Sequence, residues 1–159
     1  YMIARNATKD DADAISTIWA PQISDSVVTF NSVVKTPGDV AVMIETRPCF
    51  MVADVGGAVV GFATYDQFRG GIGYQHTMEH TIILEPAAQG QGAGRALMRA
   101  VIDHARARQV HALWAGVSAE NAAGVAFHAK LGFEHVATLP QVGRKFDRWM
   151  DLVLMQKRL

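Results

Sequence analysis

The spacing of apolar residues changes several times along the chain. Ile3 to Asn6 reads as a short strand. Thr8-Lys9-Asp10-Asp11 has the form of a helix N-cap with an acid three positions on, and Ala14, Ile15, Ile18 and Trp19 then recur at helical spacing. Residues 21–38 mix Pro, Ser, Thr and Asn and read as a loop with room for a short helical piece; Val40 to Thr46 reads as a helix that Pro48 ends. Phe50–Asp54 and Ala58–Tyr65, joined through Val55-Gly56-Gly57, carry a hairpin signature. Gly70, Gly71 and Gly73 mark a loop, and His76 to Leu84 is a strand ended by Pro86. A long amphipathic helix follows, with Leu97, Met98, Val101, Ile102 and Ala105 on one face. Ala112–Val117 is a strand, Asn121–Leu131 a helix with Gly132 at its C′ position, and Val136–Leu139 and Trp149–Met155 are the last strands. The order β α α β β β α β α β β predicts an α/β (α+β) chain with a mixed sheet and helices on both faces.

Composition narrows the function classes. The 159 residues suit one domain, 1–159, and half of them are apolar. Fifteen Lys and Arg balance fifteen Asp and Glu, so no overall basic field exists to hold nucleic acid or an anionic membrane. The single Cys49 excludes an internal disulfide framework and a Cys-rich metal knuckle. Tyr1 ahead of Met2 reads as a cloning residue, no leader pattern opens the segment, and no apolar run approaches the ~18 residues of a membrane helix. The expectation is a cytoplasmic protein.

Chemistry concentrates after Leu84. There Gln89-Gly90-Gln91-Gly92-Ala93-Gly94 leads from a strand into a helix. Glycines let a phosphate approach the main chain, and a helix N-terminus offers unpaired N–H groups and partial positive charge. A tight strand-to-helix turn is the plainer reading. The loop is not a Walker A loop, since no Gly-Lys-Ser/Thr follows, and its glycine spacing is not the dinucleotide fingerprint. His76-Thr77-Met78-Glu79-His80 also fits H-x-x-E-H, a zinc-peptidase pattern that requires a helix. Thr81-Ile82-Ile83-Leu84 reads as strand, where positions i and i+4 lie about 13 Å apart, too far for one zinc.

Gln89-x-x-Gly92-x-Gly94 resembles the pyrophosphate motif of the GNAT superfamily of N-acetyltransferases, and Asn121 with His128-Ala-Lys-Leu131-Gly132-Phe133-Glu134 resembles the second part of that signature. Thr29-Phe30, Phe68-Arg69, Thr77-Met78-Glu79-His80 and Val142 to Leu152 resemble the phosphinothricin and methionine sulfoximine N-acetyltransferase branch. The resemblance implies a mostly antiparallel sheet of about seven strands with a splayed parallel pair in the middle. It also implies acetyl-CoA as co-substrate, a small-molecule amine as acceptor, no metal, and a homodimer. Ile82, Ile83 and Leu84 would pair with the pantetheine arm, and Gln89, Gly90, Gln91, Gly92, Ala93, Gly94 and Arg95 would hold the pyrophosphate. Phe30, Phe68, Arg69, Glu79, His80 and Thr81 would line the acceptor site.

Roles follow from chemistry as well. An amine that is protonated at neutral pH needs a base, and Glu79 stands a few residues before the glycine loop. The plain reading of Glu79 is a solvated strand carboxylate. Glu85, beside Pro86 where the strand ends, has no such claim. Asn121 reads as a helix N-cap, to which the resemblance adds a hydrogen bond to the CoA arm. His128 reads as a packing residue, and the resemblance makes it a candidate acid for the leaving thiolate. Arg69 is the first choice for an acceptor carboxylate. Arg144 and Lys145 could reach a neighbouring subunit's site, and Trp19, Trp114 and Trp149 read as core or interface. Another acceptor (a protein N-terminus or a polyamine), a non-catalytic acyl-CoA module and a zinc hydrolase stay open. Residues 21–38 and 66–76, the loops that would choose the acceptor, carry no readable code.

Overall fold

The protein is described here by a computed structural model that covers Tyr1 to Leu159. Seven strands make one sheet in the order β1-β2-β3-β4-β5-β7-β6. They are β1 (Met2–Asn6), β2 (Cys49–Val55), β3 (Ala58–Gln67), β4 (Thr77–Leu84), β5 (Ala112–Ser118), β6 (Glu134–Lys145) and β7 (Arg148–Arg158). All pairings are antiparallel except that of β4 with β5. The helices are α1 (Ala12–Asp25), α2 (Pro37–Thr46), α3 (Ala93–Ala107) and α4 (Ala122–Lys130). No helix is long and apolar enough to cross a membrane.

Strand alternation divides the core in two. On one face Ile15, Ile18, Trp19, Ile23 and Val40 of α1 and α2 pack on Phe50, Val52, Phe62 and Ile83. On the other, Leu97, Met98, Val101, Ile102 and Ala105 of α3 pack on Met51, Ala63, Tyr65, Met78 and Leu113. The middle strands are therefore apolar on both sides and cannot slip by one residue without exposing a whole face. Along β4, Met78, His80 and Ile82 face α3 and α4, while Glu79, Thr81 and Ile83 face α1 and α2.

Three regions differ from the expectation. Helix α1 continues through Pro21 to Asp25, so residues 21–25 are helix and not loop. Ile23, fully buried, extends the apolar stripe of Ile15 and Trp19 and holds this last turn down. Helix α2 begins at Pro37, before Val40, because Thr36 and Asp39 form a reciprocal capping box, with Thr36 Oγ1 accepting the Asp39 N–H at 3.1 Å. Strands β6 and β7 are far longer than 136–139 and 149–155. They meet at a two-residue turn, Phe146-Asp147, both at positive φ.

Lys145, at the tip of this hairpin, turns inward onto its own chain. Only 4% exposed, its ammonium donates to the Thr29 carbonyl at 2.6 Å and the Gln22 carbonyl at 3.4 Å. It thus ties the end of α1 and the Phe30 segment to the hairpin. Gly143 completes the tie: a methyl there would collide with the Phe30 ring, so the ring occupies the missing side chain's place. Replacing Lys145 by Met keeps the apolar stem and deletes both bonds. We expect a loss of about 1–3 kcal/mol in urea denaturation, with faster amide exchange over residues 26–31. Wild-type stability and exchange would show that the tie carries no load.

Candidate active site

The ladder between β4 and β5 has four rungs and stops at His80 opposite Ala115. Beyond it β4 stays bonded to β3 through Leu84, and β5 stays bonded to β7 through Ser118. The inner edges of Thr81–Leu84 and Gly116–Ser118 are therefore unpaired with each other, which leaves a fork in the middle of the sheet. Main-chain groups at such an edge need partners. The fork is the splayed parallel pair that the resemblance implied.

Glu79 stands at the fork, on the face of α1 and α2. Its backbone is opposite Trp114, yet its carboxylate reaches forward over Gly116. Trp114 stacks on Phe68 with ring centroids 5.1 Å apart, so two aromatic rings form the wall behind the acid. Burial pushes the Glu79 carboxyl above its ordinary value, which strengthens it as a proton acceptor. The register sets the exposed Asp66 across from Glu79 on β3.

His80, which the resemblance grouped with Glu79, points to the opposite face of the sheet. It is 5% exposed, and its Nε2 lies 2.9 Å from His128 Nε2 on α4. His128 Nδ1 lies 2.8 Å from the Gly124 carbonyl. A carbonyl only accepts, so Nδ1 of His128 carries hydrogen. Burial keeps both rings neutral, lowering His128 and taking His80 to about 3, with His128 as a second cause for His80. Hence His80 Nε2–H donates to His128 Nε2, and His80 Nδ1 is a buried acceptor with no partner. The Trp114 carbonyl on that side favours a charged His80, but it makes no hydrogen bond of normal geometry and does not outweigh burial. Both nitrogens of His128 are thus engaged within the protein.

The glycine loop ends the fork. Gly90 and Gly92 have φ of +77° and +87°, and a side chain on either would meet only open space. Gly92 is the N-cap of α3 and supplies no side-chain acceptor. The first helical bond runs from Ala96 N–H to the Gly92 carbonyl at 3.0 Å, so the amides of Ala93, Gly94 and Arg95 have no acceptor inside the helix. Gly94 lets α3 start tight against the sheet, since a methyl there would lie 3.0 Å from Phe127 and 3.3 Å from Leu84. Asn121 is an N-cap, its Oδ1 accepting the Gly124 N–H at 3.0 Å.

The other expected residues are dispersed. Arg69 is exposed, with its guanidinium 5.5 Å from the Tyr74 ring centre. Arg144 lies over Trp149 at 4.8 Å, and Arg148 pairs with Glu120. Residues 77–84 are strand, and His76, just before it, bonds the Gln109 carbonyl at 3.0 Å. Hollows of about 410 Å³ along the outer side of α3 and about 530 Å³ beside Gly132 do not touch Glu79. Trp114 and Gly116 were not foreseen as site residues. The signal for Gly116 was available: a lone glycine inside an apolar strand marks a close approach.

Comparison with known proteins agrees with this fold. The acetyltransferase (GNAT) family model matches residues 20–133. The L-methionine sulfoximine/L-methionine sulfone acetyltransferase of Salmonella typhimurium is 35% identical over 99% of this chain and 95% of its own length. The phosphinothricin N-acetyltransferase of Alcaligenes faecalis is 32% identical over 94% of this chain and 79% of its own. A Salmonella typhimurium structure with its cofactor acetyl-CoA superposes at TM-score 0.96, with 35% identity, covering 100% of this chain and 94% of that one. A Brucella melitensis ribosomal-protein-alanine N-acetyltransferase superposes at 0.95, with 38% identity over 99% of both chains. The chain belongs to the GNAT family of acetyltransferases and has the GNAT fold.

The neutral histidine pair has a consequence for stability. Free histidine titrates near pH 6.5, so between that value and about 3 the unfolded chain binds more protons than the folded one. The pair's contribution is complete above about pH 6.5 and lost as pH falls. Denaturation midpoints between pH 7.5 and 4.5 should decline in the wild type and decline less in an H80F/H128F variant. Equal declines would contradict a neutral buried pair.

Proposed function

We propose that this protein transfers the acetyl group of acetyl-CoA to the α-amino group of a small amino-acid analogue of the methionine sulfoximine, methionine sulfone or phosphinothricin kind, with Glu79 as general base. The observation that carries the proposal is the Glu79 carboxylate, desolvated and leaning into the mouth of the fork. The names of the relatives support the acceptor class.

The residues fit the co-substrate. Free strand edges suit an extended arm with amide groups, which would add to β4 along Ile82, Ile83 and Leu84 as an extra strand. The uncapped amides of Ala93, Gly94 and Arg95 and the open turn from Gln89 through Gly92 suit a pyrophosphate. Asn121, at the start of α4, would bond the arm. Acetyl-CoA supplies an activated thioester, and direct attack requires no covalent bond to the protein.

Glu79 would take the proton from the acceptor ammonium, directly or through one water, freeing the lone pair. A backbone N–H near Ile82 would polarise the thioester carbonyl. Phe68 and Thr81 would bound the acceptor, Phe30 would close it from the hairpin side, and Arg69 would swing from Tyr74 to its carboxylate. His128, bonded to His80 on the far side of the fork, is the candidate for the thiolate proton. Because the pair is neutral, His128 can give a proton only after taking one up, and the second proton lost by the acceptor nitrogen after attack would be its source. The reading extends to a cytoplasmic homodimer, supported by the resemblance.

The likeness to the Brucella protein favours a second reading, in which the acceptor is a protein N-terminus. Thiol release from acetyl-CoA over amino acids, their sulfone, sulfoximine and phosphinate analogues, polyamines and an N-terminal peptide decides between them. Turnover with the analogues supports the first reading, and turnover with the peptide alone replaces it. Glu79→Gln should lower kcat by ~10²–10⁴ while acetyl-CoA still binds, and unchanged turnover would remove the base. Gly92→Val forces a branched side chain into positive φ and should weaken acetyl-CoA binding at least tenfold. Unaltered affinity would move the pyrophosphate elsewhere.

A further inference from the structure

Glu79 and Trp114 are opposite one another in the parallel ladder, but the Glu79 carboxylate does not end beside Trp114. A methyl on residue 116 would lie 2.8 Å from Glu79 Oε2, closer than any ordinary contact. Residue 116 is two positions further along β5, about 6.6 Å forward, and is the first residue of β5 beyond the last rung. The carboxylate therefore leans in the direction in which the strands part. The floor beneath it is bare main chain, since glycine is the one residue that leaves that space free.

We propose that Gly116 is a positioning residue for the acetyl transfer: by lacking a side chain it seats the Glu79 carboxylate at the mouth of the fork, facing the acceptor amine. This rests on Glu79 being the base. Apart from Glu79, the neighbour that such a methyl would meet is Leu152, at an ordinary 3.5 Å. Gly116 does not adopt positive φ, so its backbone accepts any L-residue. The glycine is there for space and not for a turn.

The substitution that tests this is mild for the fold and severe for the acid. In Gly116→Ala the atom that must yield is the end of a flexible side chain, which has to retreat from 2.8 Å to 3.4 Å or more. The strand need not move. The carboxylate is pushed away from β5, out of the buried seat in which its carboxyl is raised.

The first readout is independent of turnover. The Glu79 side-chain carboxyl is titrated by ¹³C NMR in wild type and Gly116→Ala, with Gly116→Ser as a second variant carrying the same β-carbon. Both variants should titrate at lower pH than wild type, nearer an ordinary carboxylate. An unchanged midpoint in both overturns the proposal.

The second readout is kinetic. Gly116→Ala should lower kcat by about 10- to 100-fold, the order expected for a misplaced catalytic group, with KM for acetyl-CoA within twofold. Its acid limb should move down with the NMR midpoint. In an E79Q background the same change should cost nothing further, because there is no base left to misplace. Wild-type kcat in Gly116→Ala, or an equal further loss in the E79Q background, overturns the proposal. A normal rate in E79Q alone instead overturns Glu79 as base, and the titration still decides whether Gly116 seats the carboxylate.

Discussion

The hydrogen-bond ladder between β4 and β5 ends at His80 and Ala115, and the site is organised around that end. A sheet broken at its edge is common, but one opened in its middle leaves two main-chain edges in the interior. These edges stay extended because each strand is held on its other side, β4 by β3 and β5 by β7. The two-sided core keeps the registers from slipping. The fold thus builds a slot with polar walls and no loss of order, and a peptide-like ligand can complete it.

Alternation along β4 distributes chemistry to the two sides of this slot. Glu79 faces α1 and α2, with Trp114, Phe68 and Gly116 around it. The next residue, His80, faces α4 and is bonded to His128. One acid and one neutral imidazole pair therefore flank the same fork from opposite faces. Burial acts on them in opposite senses of charge but to one end: it raises the acid and lowers the imidazoles, so each is held nearer its uncharged form. A thioester lying between them would sit where charge is scarce and any charge that develops is felt strongly.

Much of this was legible in the residues. The element order followed from apolar periodicity, and the glycine turn and the Asn121 N-cap were legible in their spacing, whereas Glu79 was singled out by the resemblance and by the need of an amine for a base. The misread boundaries have physical causes. Pro21 and its polar neighbours hid the last turn of α1, which the buried Ile23 and the Lys145 bond to Gln22 hold down. Pro140 and Gly143 interrupt the local strand pattern of β6, an edge strand whose pairing shifts between Leu139 and Gly143, where such residues are tolerated. Its turn uses Phe146 and Asp147 at positive φ, without the glycine that marks most hairpins. Side-chain destinations were harder: Lys145 turning inward, and His80 joining His128 across 48 positions of sequence, depend on packing that no local pattern records.

The account rests on the fork receiving the acyl-CoA arm, and backbone amide chemical shifts recorded while acetyl-CoA is titrated into the protein test it most directly. The account predicts saturable shifts at Ile82 to Leu84, Gly90 to Arg95 and Asn121, with little change at Arg99 to Asp103 of α3 or near Gly132. Saturable binding that leaves those amides undisturbed and shifts others would contradict it.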